Sequence, residues 1–290
     1  MIGDLQLGLQ VEPGPLEALV CTRYSSHLGP VKRTDRWLRL TAGRSRQGGS
    51  AGARVDGDTV YLYHTSFTAT LRADGRGTAT VEPTPGAVDL LLSSVAAVDG
   101  PRHGTLLLSA AAVSSASGSH LFLGEHKDVH PLVLKASSSR APVIGEACVA
   151  AACTRGFWEL HSTPFADMKI DRRCFLRAVW LVAGDNKLVS PLTGAEAAGS
   201  ILEAVLRPAP SVHAMEAFRI VTRIAEAVPA GCVSAAELLG AANPWLQMDQ
   251  LASALDVRRG LKASAPEMRS RPLRSSLDPM PASRKVRKGS

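Results

Sequence analysis

The run His120-Leu-Phe-Leu-Gly-Glu-His-Lys-Asp-Val-His-Pro-Leu132 holds the densest set of reactive groups in the chain. His126 and His130 stand four residues apart. On a helix that spacing presents two imidazoles to one metal ion, and a closed site then needs further ligands. None is near in sequence, which leaves His103, His120 and His161 to approach through the fold. Pro131 argues against a long helix here, so a polar surface loop is the plainer expectation. His161-Ser-Thr-Pro164 invites a hydrolase reading, but no G-x-S-x-G is present to supply the strained nucleophile turn. Ser114-Ser-Ala-Ser-Gly-Ser119 reads as a strand-to-strand turn rather than a phosphate cradle. The five cysteines, Cys21, Cys148, Cys153, Cys174 and Cys232, are odd in number and contain no C-x-x-C pair, so neither a disulfide framework nor a zinc ribbon is expected. Cys148 and Cys153 lie in an apolar run, where a free thiol behaves as a small hydrophobe. Aromatic residues make up 4% of the chain, too few to suggest a base-stacking platform, and Trp158, Trp180 and Trp245 read as core.

These residues must be positioned by the elements around them. Leu5–Val11 suits a strand, and Leu16–Val20 forms a second apolar patch. Residues 42–53 are rich in Gly, Ser, Arg and Gln and read as a loop. Thr59–Tyr63 is a strand. Phe67–Arg72 and Thr78–Val81 make a hairpin about Ala73-Asp-Gly-Arg-Gly77. Ala87–Val98 has helical spacing. Gly104–Leu108, Ala110–Val113, His120–Leu123, Val143–Ala151, Phe157–Leu160 and Leu176–Val182 are short apolar runs without alternation, as expected of strands covered on both faces. Lys187–Ser190 fits one more strand. Ala195–Leu206, Val212–Val228, Ala235–Ala241 and Met248–Val257 come next with helical periods.

The order of several segments resembles the nucleotide-binding core of HPr kinase/phosphorylase-related P-loop (PEP carboxykinase-like) proteins. Gly104-Thr-Leu-Leu-Leu-Ser-Ala-Ala-Ala-Val113 and His120-Leu-Phe-Leu-Gly124 resemble the two strands that lead into that family's phosphate loop. Ala141-Pro-Val-Ile-Gly-Glu-Ala-Cys-Val149 is similar to its second acidic strand, and Trp158-Glu-Leu-His-Ser-Thr-Pro-Phe165 to its tryptophan-to-His-Gly-Thr-Pro-Phe segment. Ala178–Val182 and Leu188–Leu206 resemble the family's next strand and helix, and Met215–Val228 its C-terminal region. The likeness covers roughly residues 55–240. It implies an α/β fold with a mixed P-loop-like sheet, preceded by a β-rich N-terminal region and succeeded by a helical part. The implied activity is ATP- and Mg²⁺-dependent phosphorylation of a serine hydroxyl on a small protein or peptide.

The chain departs from the family where the chemistry resides. A working loop reads G-x-x-x-x-G-K-[ST], whose glycines let backbone N–H groups curl around the phosphates. Counted from Gly124, Val129 takes the second glycine's place, His130 the lysine's and Pro131 the hydroxyl residue's. Glu125 and Asp128 set negative charge beside a triphosphate. Lys127 comes three positions early. Ser109 replaces a histidine, and Glu146 stands where the family has paired aspartates that bind metal and activate the acceptor. The expected reading is a catalytically degenerate member that works by binding, scaffolding or regulation. Gly124, Lys127 and His130 are its candidate nucleotide-binding residues, Glu146 is its candidate catalytic residue, and no metal site is assigned. An active serine kinase with a non-standard loop, using ATP and Mg²⁺, stays open as the alternative.

The net charge of +7 is unevenly placed. Residues 258–290 hold ten of the 33 basic and two of the 26 acidic residues, leaving 23 and 24 in the remainder. The excess is a basic segment ending Ser283-Arg-Lys-Val-Arg-Lys288, whose composition predicts disorder. It suits weak, salt-sensitive attachment to nucleic acid or another anionic surface. The expected partition is 1–54 as an N-terminal segment with a loop, 55–257 as the HPr kinase-like domain, and 258–290 as the tail. No run has the length of a membrane span and no secretion signal is apparent, so a cytoplasmic protein is expected.

Overall fold

The computed structural model describes residues 2–3, 5–29, 34–44, 51–165, 173–183, 190–206, 213–258 and 260. Among the described residues the chain is mixed α/β, with two mixed sheets and seven helices. Strands β1 (Leu7–Val11), β2 (Arg36–Ala42), β3 (Gly52–Asp56), β4 (Thr59–His64), β5 (Phe67–Arg72) and β6 (Arg76–Val81) form the first sheet, with helices α1 (Pro15–Arg23) and α2 (Pro85–Asp99). Its order is β1-β2-β6-β5-β4-β3, with β1, β2 and β6 parallel and the rest antiparallel. The β5–β6 hairpin and α2 stand where the periodicity places them. Strands on both sides of residue 54 share this sheet, and β3 pairs directly with β4. The apolar patch at Leu16–Val20 is helical.

Alternation explains the sheet's two faces. On β2, Arg36, Leu38 and Leu40 turn inward while Trp37 and Arg39 face out. The inward side packs on Leu16 and Val20 of α1 and on Val88, Leu91 and Val95 of α2. Thr84 caps α2 by accepting from the Ala87 N–H, with Pro85 in the first turn.

The second sheet has nine strands among the described residues: β7 (Thr105–Leu108), β8 (Ala111–Ser114), β9 (Ser119–Leu123), β10 (Val143–Gly145), β11 (Val149–Thr154), β12 (Phe157–Ser162), β13 (Arg173–Ala183), β14 (Ser190–Pro191) and β15 (Ala230–Ser234). Its main path is β10-β8-β9-β13-β12-β11-β7. Eleven-residue β13 branches the sheet: Arg173–Phe175 pair with β12, and Val179–Ala183 run parallel to β15. On its other side it runs parallel to β9. Helices α4 (Gly194–Ala204) and α5 (Ala214–Ala227) cover one face; α3 (His126–Ser138), α6 (Ala235–Gly240) and α7 (Pro244–Arg258) cover the other. A second side of α2, at Ala96, meets Leu107 and Ala150 and so joins the two sheets.

Three expectations are corrected here. Val143–Ala151 is not one strand but two, β10 at one end of the sheet and β11 near the other. β15, which no periodicity announces, lies next to β13. Pro131 does not prevent a helix. It stands inside thirteen-residue α3, where it forfeits one backbone bond at a loss of roughly 3 kcal/mol. Burial of Val129, Leu132, Val133 and Ala136 offsets that loss at about 1.5–3 kcal/mol for each large side chain. Residues 187–189 of the expected strand, 45–50 of the expected loop and 261–290 of the tail lie outside the described residues. Among the described residues no helix is long and apolar enough to cross a membrane.

One buried ion pair fastens the first sheet. Arg36 and Asp99 are 4% and 3% exposed, and the guanidinium grips the carboxylate through Nε and Nη2. Nη1 donates to the carbonyls of Arg72 and Arg76 at 3.0 and 2.8 Å, so the β5–β6 turn and the end of α2 share one cation. Removing one partner strands a buried charge. Arg36→Ala is expected to destabilise the chain by about 3–5 kcal/mol in urea unfolding, whereas Arg36→Met combined with Asp99→Leu recovers most of that loss. Equal losses in the single and double variants would contradict this role.

Candidate functional site

The residues singled out by sequence meet where β9 ends and α3 begins. β9 is buried along its whole length between β8 and β13. Gly124 comes next at φ 149°, a region L side chains rarely adopt, and a Cβ there would stand 3.0 Å from the Val182 carbonyl oxygen. Glu125 is the N-cap, and its carbonyl accepts the N–H groups of Asp128 and Val129 at 2.9 and 3.1 Å. The passage from strand to helix is therefore two residues long. The amides of residues 128 and 129, which a phosphate loop would turn toward its ligand, are spent inside the helix.

Val129, in the second glycine's place, is 5% exposed and packs into the core with Phe122 and Val182. Lys127 lies 2.8 Å from Glu125, both side chains largely exposed. Each shifts the other through their hydrogen bond, the carboxyl downward and the ammonium upward. His130 stacks on His126 with ring centroids 4.8 Å apart. Its Nδ1 lies 2.6 Å from Oε1 of Glu146, in the bend between β10 and β11, without the alignment of a hydrogen bond. The fold thus brings His126, His130 and Glu146 together and leaves Lys127 with Glu125. Among the described residues no group of three or more His, Cys, Asp or Glu side chains is arranged to hold a metal. His103 lies beside Asp35 at 3.5 Å and His161 lies 3.7 Å from Glu159, so neither joins the pair on α3. Burial pushes the Cys148 thiol up to about 11, against a smaller opposing effect of the Thr163 hydroxyl, which marks an unreactive cysteine.

A second constellation was not foreseen. His120 is fully buried on β9, and Trp180 of β13 donates from Nε1 to its Nδ1 at 3.1 Å. Indole is a donor only, so Nδ1 accepts and Nε2 carries the proton toward Oδ1 of Asp249 at 2.9 Å. The same oxygen accepts Ser115 Oγ at 2.6 Å and Ser117 Oγ at 2.5 Å, both from the β8–β9 turn. This is not a hydrolase triad. The lone pair a general base would need is occupied by Trp180, and both serines point at the carboxylate. The network instead clasps α7, helped by Trp245 donating to Ser139 at 2.9 Å and by Arg177 binding Asp256 and Ser253. A sequence signal was present: Trp245, Met248, Ala252 and Leu255 make an apolar stripe, and Asp249 falls on its edge.

Comparison with protein-family models and with curated proteins gave no match to the chain.

Burial alone would raise the Asp249 carboxyl, but hydrogen bonds from His120, Ser115 and Ser117 outweigh it and hold it near 2 against an ordinary 3.8. A folded-state value below the unfolded one stabilises above about pH 4 and is lost as pH falls toward about 2. Asp249→Ala is expected to lose about 2–3 kcal/mol near neutrality. The gap in unfolding midpoint from the parent should narrow as pH is lowered through that window. A gap that stays constant into acid would contradict the clasp.

Proposed function

We propose that the second sheet and its helices form a catalytically degenerate HPr kinase-like core, a binding, scaffolding or regulatory module that engages a small protein or peptide without nucleotide chemistry. The topology supports the family reading: β9 opens directly into α3, and β9, β13 and β15 are parallel neighbours. Ligands of open α/β sheets bind beyond the carboxyl ends of such strands, the end at which Gly124, His130 and Glu146 lie.

The observation that carries the degenerate reading is the two-residue passage through Gly124 and Glu125. A phosphate cradle needs a run of successive amides free to turn toward one anion, and here the amides of Asp128 and Val129 already bond the Glu125 carbonyl. The charges agree. Glu125, Asp128 and Glu146 set three carboxylates at this end of the sheet, and the Lys127 ammonium forms an exposed pair with Glu125.

Calorimetric titration of the full chain with ATP and Mg²⁺ tests this reading. No saturable heat up to millimolar nucleotide is expected. Micromolar binding that is lost in His130→Ala would overturn it and favour the serine-kinase alternative, with His130 and Glu146 as the reacting pair.

A further inference from the structure

The first sheet covers one face with α1 and α2, and among the described residues nothing covers the other. Cross-strand register orders its side chains into rows. One runs Gln10, Arg39, Thr78, Thr70, Tyr61, Arg54 across β1, β2, β6, β5, β4 and β3. The next runs Thr41, Thr80, Thr68, Tyr63, Gly52. A third sets Trp37 between Gly8 and Arg76.

Two glycines shape the surface. A Cβ at Gly8 would stand 2.7 Å from the Trp37 ring, and a Cβ at Gly52 would stand 2.7 Å from the Tyr63 hydroxyl and 2.9 Å from its ring. Each ring therefore passes close over the backbone of an edge strand. Trp37 is 49% exposed and Tyr61, between Thr70 and Arg54, is 40% exposed. Beside the tyrosines an open concavity of about 1110 Å³ is lined by Arg44, Arg54, Asp56, Tyr61, Tyr63 and Thr70. The low aromatic content of the chain conceals this clustering: two of its three tyrosines and one of its four tryptophans share a single open face.

We propose that this face binds single-stranded nucleic acid, with bases stacked on Trp37, Tyr61 and Tyr63 and phosphates met by Arg39, Arg44, Arg54 and Arg76. Exposed rings on a sheet accept unpaired bases of any sequence, and neighbouring guanidinium groups track the backbone. Paired bases hide their faces in the stack, so a duplex fits poorly. A neutral glycan would use the rings but not the arginines. Four carboxylates stand among the cations: Glu12 at 3.3 Å from Arg39, Asp56 at 3.1 Å from Arg54, and Asp58 and Asp74 beside Tyr61 and Thr70, with Asp74 3.7 Å from Arg72. Such exposed pairs are weakly held and exchange readily for phosphate. From Arg39 to Arg54 the row crosses four strand spacings, about 19 Å, enough for a segment of several nucleotides. The basic segment 258–290 adds polyanion attraction in the same chain.

The test is fluorescence anisotropy of the full chain with a labelled oligothymidylate about a dozen nucleotides long, at physiological salt. Trp37→Ala and Tyr61→Ala are each expected to weaken binding by about 5- to 150-fold. Trp37→Phe should restore most of the loss, and circular dichroism should show the fold of each variant unchanged. Neutralising Arg284, Lys285, Arg287 and Lys288 should lower affinity and flatten its salt dependence while leaving the ring variants' effect in place. The proposal fails if the strand does not bind or if the matching duplex binds as well. It also fails if the ring variants bind like the parent while tail neutralisation abolishes binding, or if neutral maltohexaose binds in a Trp37-dependent way and the oligonucleotide does not.

Discussion

Gly124 sits tightly against the backbone of β13, where a Cβ would stand 3.0 Å from the Val182 carbonyl oxygen, and its φ of 149° is one that L side chains rarely adopt. The chain leaves β9 in a conformation that glycine alone adopts freely, and α3 starts two residues later. Its apolar face, Val129, Leu132, Val133 and Ala136, then falls on β8 and β13. The opposite consequence is chemical. Val129 is a core residue, and the amides of Asp128 and Val129 bond the Glu125 carbonyl. His130 lies beside Glu146, with Nδ1 2.6 Å from Oε1.

β13 is the member on which the second sheet depends. It is the neighbour of β9, β12 and β15 at once, and its Trp180, on the same face as His120, orients that imidazole. That imidazole passes the constraint to Asp249 and so to α7. The β8–β9 turn contributes Ser115 and Ser117 to the same carboxylate. Helix α7 is thus held by a polar clasp as well as by its apolar stripe. In the first sheet Arg36 plays the corresponding part, one cation serving a helix end and a turn.

Much of the fold was legible from local pattern. The β5–β6 hairpin announced itself through Asp74-Gly-Arg-Gly77, α2 through its period, and β7, β8, β9 and β13 through unbroken apolar runs. What escaped was decided at long range. β2 alternates cleanly as Arg-Trp-Leu-Arg-Leu, yet its buried arginine reads as polar until Asp99 is placed beside it. β15 is five small residues, Ala-Gly-Cys-Val-Ser, that become a strand because β13 offers them an edge. Pro131 argued for a polar loop rather than a helix, and burial of the apolar face of α3 overrode it. Of the candidate site, sequence supplied Gly124, Lys127, His130 and Glu146, but not the pairing of the last two or the turning of Lys127 to Glu125. The clasp joins residues more than a hundred positions apart, and only the polar Asp249 beside an apolar stripe hinted at it. The aromatic face of the first sheet was hidden for a different reason, because composition counts rings and says nothing of which face they share.

The turn after β9 is closed into α3 by the bonds from the Asp128 and Val129 amides to the Glu125 carbonyl. Amide hydrogen exchange across Leu123–Leu132, with and without ATP and Mg²⁺, measures this directly. Slow exchange at Asp128 and Val129 that nucleotide leaves unchanged is the predicted result. Fast exchange at these amides that becomes protected when nucleotide is added would contradict it.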